Sequence, residues 1–141
     1  MDTTYLLPYS RMGVAADIFG EMEKNGVPIG DMGISSISLF ELQAKAAKLG
    51  VPADYVVTAI ENISDVFRVE QIHNIKIIEV ATTLLKWLSD YIDCLILATA
   101  IVLEEGLITE DLEIRSRRNE IKDKYGIEVV NGKEFLVGLK I

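Results

Sequence analysis

Four carboxylates far apart in the chain, Asp2, Glu41, Asp93 and Asp111, share one kind of position: each falls at the end of an expected strand or in the first turns of the helix that follows. In a parallel sheet those positions lie along one edge, the edge at which open α/β sheets take their ligands. Carboxylates drawn together there repel and raise one another's pKa, whereas a hard divalent cation stabilises their ionised forms and prefers oxygen ligands. Each acid also has a purely local explanation. Ser38 and Glu41 match a capping box, Asp93 lies where an acid favours a helix N-terminus, Asp111 suits an N-cap, and Asp2 suits a solvated terminal residue. Local physics leaves both readings standing. Other reactive groups are sparse. Cys94 and His73 are the single residues of their kinds, and no Gly-x-Ser-x-Gly, His-Glu-x-x-His or Gly-rich phosphate loop occurs. With nothing basic beside it, Cys94 reads as a small buried hydrophobe, and His73 as a structural or surface residue.

The elements that must position the acids follow from periodicity. After the apolar Tyr5-Leu6-Leu7-Pro8, residues Val14 to Lys24 have helical spacing and stop at Asn25-Gly26. A strand is expected at Met32 to Ser36. Leu39, Leu42, Ala46 and Leu49 mark a helix closed by Gly50, and Pro52 opens another to about Asn62. Val66 to Val69 reads as strand, and Gln71 to Leu88 as one long helix containing His73 and Trp87, with Trp87 on its apolar stripe as core or a subunit contact. Ser89 or Asp90 caps the next helix, about Tyr91 to Glu105, which keeps one broad apolar face and stops at Gly106. Strand Leu107 to Thr109, a charged helix Leu112 to Tyr125, strand Ile127 to Val130 and a short helix after Gly132 complete the chain. Strands alternating with helices predict an α/β fold: a mostly parallel sheet covered on both faces. With no repeat, linker or low-complexity stretch, residues 1–141 read as a single domain.

Composition sets the limits. The chain has 141 residues, half of them hydrophobic, so it can bury a core without disulfides, which one cysteine excludes within the chain. The longest uncharged apolar stretch, Cys94 to Leu103, is about half the roughly 20 residues that span a bilayer, so no membrane association is expected. Nothing at the N-terminus reads as an export signal, which points to the cytoplasm. A net charge of −8 opposes general attraction to nucleic acid. Contact with phosphates must then be local or assisted by metal ions. Arg115, Arg118 and Lys122 recur at helical spacing and are candidate RNA contacts together with Arg11, although interleaved Glu113, Glu120 and Asp123 equally describe a solvated, salt-bridged face.

Sequence pattern separates the readings. Met1-Asp2-Thr3-Thr4-Tyr5-Leu6-Leu7, Ser35-Ser36-Ile37-Ser38-Leu39-Phe40-Glu41-Leu42, Asp93-Cys94-Leu95-Ile96-Leu97-Ala98-Thr99-Ala100 and Leu107-Ile108-Thr109-Glu110-Asp111 together resemble, in order and over nearly the whole chain, the PIN-domain family. The resemblance implies a three-layer α/β/α domain in which Asp2, Glu41, Asp93 and Asp111 are catalytic and hold Mg²⁺ or Mn²⁺. Thr4 and Thr109, with Asp90 as a further helper, would orient those acids. It also implies hydrolysis of RNA phosphodiester bonds without a side-chain nucleophile. For so short a member it implies the toxin of a type II toxin–antitoxin pair (VapC-type), a homodimer silenced by an antitoxin protein. An RNA-processing or repair nuclease and a catalytically weak interaction module are the alternatives. Family members carry several strand residues before the first Asp, whereas Met1 alone precedes Asp2 here. Either the chain starts downstream of its natural start, or the first strand is short and Asp2 is held less rigidly.

Overall fold

The computed structural model describes residues 1–10 and 18–139. A 3-10 segment, Thr3–Ser10, follows the first two residues, and helix α1 is Ile18–Lys24; the expected start at Val14 and the candidate contact Arg11 lie outside the described residues. A 3-10 turn, Ile29–Asp31, leads into β1 (Gly33–Ser35), α2 (Ser36–Lys48), α3 (Ala53–Val66) and β2 (Arg68–Glu70). The second half contains α4 (Ile75–Leu84), α5 (Tyr91–Leu103), β3 (Leu107–Ile108), α6 (Leu112–Ser116), α7 (Arg118–Tyr125), β4 (Val129–Val130) and α8 (Gly132–Leu139). Every ladder is parallel: β1 pairs with β2, Ile34 opposite Val69, and β3 with β4, Leu107 opposite Val129. The expected sheet is thus divided into two pairs, joined through the first two residues. The Met1 ammonium donates to the Gly33 carbonyl (3.1 Å) and the Asp2 amide to the Ile108 carbonyl (3.0 Å).

Strand alternation puts successive side chains on opposite faces. Leu107 and Val129 join one apolar cluster, with Leu84, Leu97, Ile114 and Ile121, while Ile108 and Val130 face a second, with Leu6, Ile18, Leu42 and Ile63. Helices α4, α5, α6 and α7 pack on one side and α1, α2, α3 and α8 on the other, the α/β/α layering expected. Within it α5 is buried more completely than one broad face allows: every residue from Cys94 to Ala100 is buried, as a helix that is apolar all round requires. No described helix is long and apolar enough to cross a membrane.

Several boundaries move for identifiable reasons. The long helix expected from Gln71 starts at Ile75, because the Asn74 side chain accepts from the amides of Lys76 (2.9 Å) and Ile77 and caps it there. His73 accordingly lies exposed in the preceding loop, and Trp87 lies beyond the helix, edge-on to Tyr125 with the Lys124 ammonium over its ring. Helix α3 runs past Asn62 to Val66, carrying Ile63 into the core, so β2 starts later than expected. Helix α5 ends one turn before Gly106, at Glu104 in the left-handed conformation (φ 56°). The charged helix breaks at Arg117 into α6 and α7, and Ile114 and Ile121, one on each piece, are both buried in the core.

The turn into α8 is tied to the N-terminal segment. The Gly132 amide donates to the Tyr5 hydroxyl (2.8 Å) and to Glu110 Oε1 (3.1 Å), and the Tyr5 hydroxyl itself donates to Glu110. A Cβ on Gly132 would stand 2.9 Å from that hydroxyl and 3.1 Å from the ring, both in a buried hub. Gly132→Ala is therefore expected to destabilise by about 1–3 kcal/mol. On the same helix nothing lies within 4 Å of a Cβ on Gly138, and Gly138→Ala is expected to be neutral or stabilising by a few tenths of a kcal/mol. Urea midpoints of the two variants check this; equal effects would show that the Tyr5 contact does not matter.

Candidate active site

Asp2, Glu41, Asp93 and Asp111 line one cleft of about 310 Å³, with Thr4 and Asp90. They arrive from four places: the N-terminal residues, α2, the first turn of α5 and the loop after β3. Thr3, Lys45, Ile96 and Glu110 complete the lining.

The local explanations now divide. Ser38 does not open a capping box. Helix α2 starts two residues earlier, Ser35 accepts from the Ile37 amide (3.3 Å) as its cap, and Ser38 is buried inside the helix with an unpartnered hydroxyl. Glu41 thus stands in the second turn, with no capping duty. Asp90, not Ser89, caps α5 through the Ile92 amide (2.7 Å), and that leaves Asp93 one turn further on without that role. Asp111 does cap: its Oδ1 accepts from the Ile114 amide at 2.8 Å. That bond fixes the carboxylate and leaves its second oxygen for the cleft.

Asp2 is no solvated terminal residue; it is only 7% exposed. Its Oδ1 accepts from the Thr4 amide (3.0 Å), and its Oδ2 from the Thr109 hydroxyl and the Glu110 amide (3.0 Å). The Thr109 hydroxyl, buried, in turn accepts from the Asp111 amide (3.0 Å). One threonine therefore links two of the four acids, and Thr4 acts through its backbone. The looser Asp2 expected from a short first strand is not observed, because three donors replace the strand as its anchor.

Electrostatics records the crowding. Burial, followed by the charges of Asp111, Asp90, Glu41 and Asp2, pushes the Asp93 carboxyl up to about 7. Burial also raises Asp2, countered by its bonds from Thr109, Glu110 and Thr4. Burial and the neighbouring Asp93 push the Cys94 thiol up to about 11, far from a reactive thiolate, and the side chain is fully buried.

The donor set is all oxygen and densely negative, which suits Mg²⁺ or Mn²⁺. Among the described residues no three acidic, imidazole or thiolate groups are gathered tightly enough to grip an ion by themselves.

Three cleft residues were not singled out from sequence. Glu110 was read only as the middle of Thr109-x-Asp111; its carboxylate is occupied by Tyr5 and Gly132. Thr3 carries a buried, unpartnered hydroxyl. Lys45 had one legible signal, its place four residues after Glu41 on the same helix face. Of the candidate RNA contacts, the described ones do not line this cleft: Arg118 pairs with Glu134 (3.1 Å), Lys122 with Glu128, and the Arg115 Nε is buried without a hydrogen-bond partner among the described residues.

A stability experiment reads the combined cost of burying the Asp93 carboxylate and crowding it with other acids. A carboxyl raised from 3.8 to about 7 keeps its proton in the folded chain at pH values where the unfolded chain has lost it. This group's effect is therefore to lower the stability of metal-free protein as pH rises from about 4 to 7, with the full penalty above 7. In EDTA at pH 8, Asp93→Asn is expected to be more stable than wild type by about 1–2 kcal/mol, after allowance for solvent screening of a half-buried group. Near pH 4 the two should melt together. A less stable variant at pH 8 would mean that Asp93 is held by attraction and not by repulsion.

Comparison with curated proteins and with solved structures returned no match. The family model of the PIN domain, in contrast, matches residues 2–120, from Asp2 through α6 and into α7. The matched span contains Asp2, Glu41, Asp93 and Asp111 together with β1, β2 and β3, while β4 and α8 lie beyond it. With an α/β fold of parallel strands and that match over most of its length, the chain belongs to the PIN-domain family, a nuclease-type fold.

Proposed function

We propose that the protein is a divalent-metal-dependent endoribonuclease whose catalytic acids and metal ligands are Asp2, Glu41, Asp93 and Asp111, in a single domain spanning residues 1–141. The observation that carries the proposal is the convergence of the four acids in one cleft, with the Asp93 carboxyl pushed up to about 7 by burial and its neighbours. A fold tolerates such a cluster at a cost, and a cation relieves it.

The roles follow from how each acid is held. Asp2, buried and fixed by three donors, supplies a ligand that cannot swing away. Asp111, fixed by its cap, presents one oxygen. Asp93 and Glu41, with no structural hydrogen bond to break, are available to a cation and its waters. Thr109, donating to Asp2 and accepting from Asp111, positions both. The chemistry supplied when Mg²⁺ or Mn²⁺ is bound is a lowered pKa for water and neutralisation of charge on the transferring phosphoryl group. No side-chain nucleophile is then needed, in keeping with the inert setting of Cys94.

The finer reading is the toxin of a type II toxin–antitoxin pair, acting in the cytoplasm as a homodimer restrained by an antitoxin protein. Its toxin part rests on the family resemblance alone. Support for a subunit contact comes from Ile75, Ile78 and Leu85, large apolar residues left exposed at helical spacing along α4 and just beyond its end.

The test is cleavage of a fluorescent single-stranded RNA panel in Mg²⁺, Mn²⁺ or EDTA. Cutting is expected with either metal, abolished by EDTA and reduced at least ~100-fold by Asp93→Asn, the loss of about 3 kcal/mol of transition-state stabilisation. No cutting by wild type with either metal would reject the nuclease reading in favour of an interaction module. Thr109→Val is expected to weaken Mn²⁺ binding about 10–100-fold while leaving the protein folded; unchanged Mn²⁺ affinity by calorimetry would remove Thr109 from the site. Growth arrest on expression alone separates a toxin from a processing enzyme.

A further inference from the structure

The cleft sets a problem for its substrate. Six carboxylates line it (Asp2, Glu41, Asp90, Asp93, Glu110 and Asp111) in a chain of net charge −8, and an approaching phosphodiester adds another negative charge. A bound divalent ion or two offsets much of this field. It also draws its own stabilisation from the same acids, so little of its charge is left for the phosphates flanking the reacting one. One basic side chain, Lys45, lines the cleft among the described residues.

Its placement is not explained by helix stability. A Glu four residues before a Lys is the favourable orientation for an intrahelical ion pair, and Glu41 and Lys45 on α2 have that spacing. Yet among the described residues no carboxylate lies within 4.0 Å of the Lys45 ammonium. Elsewhere basic groups do close on neighbouring acids: Lys24 on Glu21, Arg68 on Glu70 and Glu105, Arg117 on Glu120, Arg118 on Glu134 and Lys122 on Glu128. Lys45 is half-buried on α2 and lines the cleft, and a lysine so placed can bury its stem while its charged end stays in water. A compact ammonium on a flexible stem, with three donors, is well suited to a single phosphate oxygen.

We propose that Lys45 is the substrate-phosphate contact of this cleft, its ammonium donating to a non-bridging oxygen of the RNA backbone, and so a residue that determines binding of the substrate and not of the metal. This rests on the nuclease reading above. It makes an opposite prediction for the two ligands. A cation beside metal ligands repels the metal, so removing it leaves metal affinity unchanged or improved, while substrate affinity falls. A merely structural lysine, neutralising the acids to hold α2 in place, gives the reverse for metal and lowers the melting temperature.

The experiment compares Lys45→Met and Lys45→Arg with wild type in three readouts. The first is Mn²⁺ affinity by calorimetry without RNA, with the melting temperature taken alongside. The second is affinity for a fluorescent single-stranded RNA across a KCl series, in an Asp93→Asn background so that the RNA survives. The third is steady-state cleavage by the otherwise intact enzyme. For Lys45→Met the expected result is unchanged or tighter Mn²⁺ binding, RNA affinity weakened about 5–10-fold, and a salt slope shallower by about 0.7, as loss of one single-strand phosphate contact gives. KM should rise with kcat nearly constant, and Lys45→Arg should recover most of the loss. Wild-type cutting with unchanged RNA affinity and salt slope in Lys45→Met overturns the Lys45 assignment alone. So does weakened Mn²⁺ binding with a lowered melting temperature. Wild type that neither binds nor cuts RNA overturns the nuclease reading and this assignment together.

Discussion

The Asp2 carboxylate, buried at the junction of two parallel strand pairs, is the point on which both the sheet and the cleft depend. Its backbone amide reaches Ile108 on one pair, and the preceding residue's ammonium reaches Gly33 on the other. Its side chain accepts from Thr4, Thr109 and Glu110. A buried ionised group is tolerated only when its oxygens are satisfied, and here the satisfying donors come from the segments that must be aligned. The amino group beside it shows what that burial costs, being lowered to about 6 mainly by loss of solvent. The folded arrangement of β1, β3 and the N-terminal segment and the hydrogen bonding of one carboxylate are thus the same fact seen from two sides.

From that point a chain of hydrogen bonds leads outward through the site. Thr109 passes the constraint from Asp2 to Asp111, and Asp111 passes it into α6 through its cap. Glu110 carries it in the other direction, to Tyr5 and the first turn of α8, a helix that lies beyond the span of the family match. Asp93 and Glu41 sit at the far side of the cleft on helices whose caps are other residues.

The stability consequences run against function in a familiar way. Crowded carboxylates raise the energy of the metal-free fold, and the buried helix α5, which delivers Asp93, is apolar on all sides and so compensates with one of the largest contributions to the core. Placing the repelling charge in the first turn of the most deeply buried helix keeps it fixed in position. The favourable end of the helix dipole further offsets its cost.

Much was legible in the residues themselves. Period and turn chemistry located the four described strands and nearly every described helix, because a buried strand such as β3 and a helix such as α5 leave apolar runs that few other structures can use. The order of the four acid-bearing motifs carried the family, and the single cysteine and the absence of other nucleophile motifs removed competing chemistries. What sequence left open was which local role each acid holds, since capping and ligation favour the same positions. Only the tertiary structure decided that Ser35 and not Ser38 caps α2, that Asp90 relieves Asp93 of capping, that Asn74 starts α4, and that the charged helix breaks at Arg117. It also brought Lys45 and Glu110 to the cleft. Each cap is a bond across two residues, but which of several cap-competent neighbours takes it depends on how the helix packs, and packing competes with local propensity and is not encoded at any one position.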